Sequence, residues 1–139
     1  MSNQNHFSPR NQIFIVIASF LIALYIIMDA IGAHALAEHL KDSKINEWFF
    51  TSLRHLLLGA IGILVFSIFS HLTQKKLMLP IVLQFIGILL FSGSLLLLVY
   101  LKINSINYPK IFSILAPVGG FSFILSWLVF GTLLLKQKK

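Results

Sequence analysis

Few side chains in this 139-residue chain can do chemistry, and most of them fall between Asp29 and His55. That stretch holds all four acidic residues, Asp29, Glu38, Asp42 and Glu47, together with three of the five histidines and Arg54. His34 and Glu38 stand four apart, so on a helix they share one face, and His55 could approach from the next helix. Two imidazoles and a carboxylate would suit zinc. Neither an HExxH sequence nor paired cysteines accompany them, so a polar helix-end cluster is the preferred reading, and no metal or other cofactor is expected. The chain has no cysteine, which excludes disulfides, thiolate catalysis and iron–sulfur ligation.

Arg54 sets the second chemical question. A guanidinium in hydrocarbon costs about 2.5 kcal/mol or more, so a partner is expected, and Asp29 is the carboxylate at matching depth. An Asp29–Arg54 ion pair is therefore predicted, with snorkelling of Arg54 toward water or Glu47 as the alternative. Asp29, His34, Arg54 and His55 together form the candidate polar cluster. No nucleophile and base stand at an interpretable spacing, so an enzyme is not expected.

These residues need elements to hold them, and composition says which. With 58% hydrophobic residues, 11% charged and a mean hydropathy of +0.90, the chain has too little polar surface to coat a soluble domain. It reads as an all-α integral membrane bundle of four transmembrane helices in one domain. The spans are expected at about 13–36, 48–71, 77–101 and 111–135, with a polar cap over 37–47 and a poorly ordered tail over 1–11. Asp42 and Ser43 are the N-cap candidates for the second helix. Arg10, the apolar run and Ala33-His34-Ala35 loosely mimic a secretory signal, but the run is long for one and a retained first helix is the better reading.

Four spans put both termini on one side. Arg10, Lys75, Lys76 and the last three lysines lie there, against Lys41, Lys44, Lys102 and Lys110 beyond, which favours cytoplasmic termini in a bacterial inner membrane. Trp48, Tyr100 and Tyr108 would form the aromatic belt opposite. The net charge of +7 sits at helix ends, where it meets lipid headgroups, and no nucleic-acid partner is expected.

The later spans carry small residues at helical spacing. Gln84, Gly87, Phe91 and Ser94 share one face of the third span, and the fourth offers Ser113, Ala116 and Gly120 on one face with Gly119, Ser122 and Ser126 beside it. Packing is the first reading of these stripes. The sharper one is that Pro117 and the two glycines after it open the fourth helix, leaving free backbone groups to bind an ion or headgroup.

Gly32-Ala33-His34-Ala35-Leu36, Phe91-Ser92-Gly93-Ser94-Leu95 and Ala116-Pro117-Val118-Gly119-Gly120 resemble the conserved blocks of the small bacterial membrane proteins of the YgdD and YwdK type. Members often carry a Gln and a His in the second helix, where this chain has Leu56 and Gly59. The resemblance implies a four-helix fold, a membrane and motif positions for packing or binding, and supplies no chemistry. The leading expectation is a non-enzymatic structural, interaction or lipid-binding protein, with the bilayer, a lipid ligand or a second copy as partners. The competing expectation is a small transporter or channel using Asp29, His34 and Arg54 as an ion or proton relay.

Overall fold

The computed structural model describes residues 8–107 and 111–135. His6, Tyr108, Lys110 and the lysines after Leu135 lie outside the described residues. Helix α1 spans Pro9–Ala33, α2 Ser43–Thr73, α3 Met78–Ile103 and α4 Ile111–Leu135. Each is long and apolar enough to cross a membrane, and no strand occurs among the described residues.

Local chemistry explains where the helices start. Pro9 takes the first helical position, where its missing N–H costs nothing, and Ser8 Oγ accepts from Asn11 N–H at 3.4 Å. Pro9 and Arg10 therefore belong to α1 and not to a tail. The helix stops at Ala33, and the chain turns through a 3-10 turn at His39–Lys41 into α2. Asp42 caps α2 by accepting from the N–H groups of Lys44 and Ile45 at 2.8 and 3.1 Å, so the helix begins five residues before Trp48 and takes in much of the expected cap. At its other end Gln74 adopts a left-handed conformation, φ 55°, and Ser70 Oγ donates to the Lys75 carbonyl at 2.7 Å.

Helix α2 packs between α1 and α3, and α4 lies against α3. One apolar core joins all four helices at the end nearer the termini, through Ala18, Ile63, Phe66, Ile81 and Phe130. A second lies under the cap, where Leu40, Ile45, Phe49, Leu53 and Val99 meet. Helix α1 is peripheral: only Asn11, Ala18 and Gly32 of its 25 residues are buried.

The irregular backbone is in α3, not in α4. Helix α4 runs through Pro117 without interruption, whereas α3 changes to a π-helical segment over Ile88–Gly93. A glycine explains why the two meet there. Gly119 lies against the main chain of Phe91 and Leu90, and a Cβ at that position would come within 2.9 Å of the Leu90 carbonyl carbon. Main chain cannot rotate away as a side chain can. Ser126 Oγ adds a buried hydrogen bond between the same helices, donating to the Pro80 carbonyl at 2.7 Å.

Gly119→Ala is therefore expected to destabilise the protein by about 1–3 kcal/mol through overpacking, read as a lower melting temperature in detergent. Gly131→Ala, with nothing within 4 Å of the added carbon, should leave it unchanged.

Candidate functional site

The expected polar cluster does not assemble. The ion pairs among the described residues are Lys41–Glu38 at 2.6 Å and Lys102–Asp42 at 2.8 Å, so the predicted Asp29–Arg54 pair is absent. The reason is azimuth. Gly32 packs on Phe49, which sets the register of α1 against α2. From that contact Asp29 is about 4.5 Å deeper and Arg54 about 7.5 Å deeper, but Arg54 points about 140° around its helix from Phe49. Depth matches and direction does not. Both side chains are exposed on the outside of the bundle. His34 caps the end of α1, exposed, and Glu38 is taken by Lys41, so the set His34, Glu38 and His55 does not gather. Among the described residues no three His, Cys, Asp or Glu side chains come together as metal ligands.

His55 is the member that does enter a site. Its Nδ1 lies 2.8 Å from the Thr51 carbonyl, which can only accept, so Nδ1 carries the proton and Nε2 of the neutral ring is an acceptor. The imidazole lies on Phe91 with centroids 4.0 Å apart and faces Phe123 at 5.9 Å. With Leu58, Gly120, Phe123, Ile124 and Trp127 it lines a cleft of about 370 Å³ between α2 and α4. Leu58 and Ile124 are more than half exposed, so the cleft opens sideways toward lipid. A largely apolar trough lined by an imidazole and an indole can hold a hydrocarbon chain and orient a polar group beside it. A second cleft, about 190 Å³ between Met28, Phe49, Leu96 and Val99, is apolar apart from Tyr100 at its edge.

The motif positions divide between these features. Gly32 is covered by the Phe49 ring, Gly119 forms the α3–α4 contact, and Gly120 floors the cleft. Ser94 Oγ donates to the Phe91 carbonyl at 3.1 Å, while Ser92 Oγ is buried with no partner among the described residues. Gly93 and Pro117 are exposed.

Two features lay beyond sequence reasoning. Gln84 is fully buried against Gly62, and neither Nε2 nor Oε1 has a partner among the described residues. Its place on the small-residue face of α3 was legible, but its lack of partners was not. The other is a clamp at the cap. Lys102, at the end of α3, reaches Asp42 Oδ1 and Oδ2 at 3.0 and 2.8 Å and lies 5.8 Å from the centre of the Trp48 ring. Lys44 sits over the same ring at 4.9 Å. The Lys102 hydrogen bond, followed by those from the α2 N–H groups, holds the Asp42 carboxyl below its ordinary range.

The fold and cleft define a four-span helical membrane protein with a lateral apolar site. Residues 28–120 match the family described as Protein of unknown function (DUF423). The chain is 30% identical over 118 residues to a UPF0382 membrane protein of Staphylococcus epidermidis, covering 85% of this chain and 91% of that one. It is 30% identical over 123 residues to the UPF0382 membrane protein YwdK of Bacillus subtilis, covering 85% and 92%. A UPF0382 membrane protein of Haemophilus influenzae is 31% identical over 101 residues, covering 73% and 76%. No solved structure matches the chain. The chain therefore belongs to this family of small membrane proteins.

Two outcomes follow. Because the folded Asp42 carboxyl titrates lower than in the unfolded chain, its stabilisation is present above about pH 4 and is lost as the pH falls below it. Melting temperatures taken between about pH 3 and pH 6 should thus fall less steeply toward acid in Asp42→Asn than in the wild type. Gln84→Met, which removes two unpaired polar atoms at similar volume, should keep or raise the melting temperature.

Proposed function

We propose that this is a non-enzymatic membrane protein that binds a lipid in the cleft between α2 and α4. The observation that carries the reading is His55, held by Thr51 so that its second nitrogen can accept, in a cleft otherwise lined by Leu58, Gly120, Phe123, Ile124 and Trp127. Such a site suits a long apolar tail with a hydroxyl or similar donor near it.

A relay through Asp29, His34 and Arg54 has weaker support, because all three are exposed and no hydrogen bond joins any two of them among the described residues. For orientation, Arg10, Lys75 and Lys76 at one end support termini on the cytoplasmic side of a bacterial inner membrane.

Native mass spectrometry of protein extracted in mild detergent tests the lipid reading. Wild type is expected to retain a defined lipid adduct, and both His55→Leu and the cleft-filling Gly120→Leu should lose most of it, about tenfold or more in occupancy. Wild type without an adduct, or variants that keep the same one, would remove the reading.

A further inference from the structure

Asp29 and Arg54 remain as opposite charges on the outside of the bundle, at levels that differ by about 3 Å, and neither has a partner within its own chain among the described residues. We infer that they pair between copies: Asp29 on α1 of one protomer meets Arg54 on α2 of the next, in a ring whose axis is the membrane normal.

Three observations lead there. First, both charges face lipid, where an isolated ionised group is costly and a salt bridge with its neighbour relieves both. Second, rotation about the membrane normal preserves depth, so only groups at one level can meet in such a ring. Asp29 and Arg54 satisfy that condition through the Gly32–Phe49 register. Third, the two exposed side chains form no ion pair with each other within the chain, so each is left to meet the opposite charge of a neighbour, as a head-to-tail contact requires.

The apolar surface around them is consistent with the same contact. Helix α1 exposes Ile26, one turn from Asp29 and on the same side of the helix. Ile26 lies six residues below Gly32, and His55 lies six below Phe49, so a neighbour's Ile26 stands level with the cleft. The neighbouring α1 would form the bilayer-side wall of that cleft. The pairing itself depends on Asp29 and Arg54 and not on what the cleft holds, so the oligomer can fail while lipid adducts persist, and the reverse.

The test is exchange of charge between copies. In mild detergent, wild type should run as an oligomer, and Asp29→Arg and Arg54→Asp should each reduce the oligomer fraction about tenfold. Co-expressing these two variants with different tags should restore the oligomer and co-purify them, because each supplies the charge the other lacks. That rescue cannot arise from a contact within one chain. Should a charge reversal prevent folding, cysteine provides the second measurement, since the chain has none. Asp29→Cys with Arg54→Cys in one chain should give a ladder of disulfide-linked multimers on oxidation in membranes, and either single variant alone should not. Monomeric wild type, unaffected single variants, absence of rescue, or cysteine-paired protein that stays monomeric would overturn the inference. So would loss of a bound anionic phospholipid from Arg54→Asp with the oligomer intact, which would make Arg54 a headgroup site.

Discussion

Main chain packed on main chain, Gly119 of α4 against Leu90 and Phe91 of α3, is the contact on which the rest of the bundle depends. Lipid tails are as apolar as leucine, so burying hydrophobic side chains gains little inside a bilayer, and close backbone approach with dense packing must hold the helices. A glycine makes that approach possible. The π-helical segment opposite it is the local adjustment that α3 makes at the crossing. It brings Ser92 into the interior and leaves Phe91 at the edge, stacked on His55. The geometry of the lateral cleft therefore follows from the way two backbones fit.

Polar groups are distributed according to the same constraint. At the cap, where water and headgroups are available, Asp42 satisfies the first N–H groups of α2 and draws Lys102 across from α3, tying two helix ends together. Within the bundle, hydroxyls mostly turn back on carbonyls of their own helix, as Ser52 does on Phe49 and Ser67 on Ile63. Among the described residues Ser126 crosses to another helix instead. Gln84 and Ser92 have neither solution among the described residues, which makes the middle of α3 the place where polarity is retained against its cost.

The helices and the small-residue faces were legible because both are one-dimensional properties. A run of apolar residues has a length, and a stripe such as Gln84, Gly87 and Ser94 has a period. The Asp29–Arg54 expectation was built from depth alone, and depth along a helix is also one-dimensional. It reached the correct level and the wrong neighbour, because direction around α2 depends on which face packs against α1. His55 reads in the sequence as part of a polar cluster with Asp29, His34 and Arg54, whereas its surroundings prove to be Phe91, Phe123 and Trp127 from two distant helices.

By itself, then, the sequence determined a membrane-spanning four-helix chain, an N-cap for α2 at Asp42 or Ser43 and the family to which the chain belongs, since each rests on local composition, spacing or motif. The tertiary structure decided that the backbone irregularity falls at Ile88–Gly93 and not at Pro117, that Asp29 and Arg54 face outward, and that His55 opens onto lipid. Those three features depend on helix rotation and on contacts between residues far apart in the chain, and a pattern of residue types along one strand of sequence carries neither.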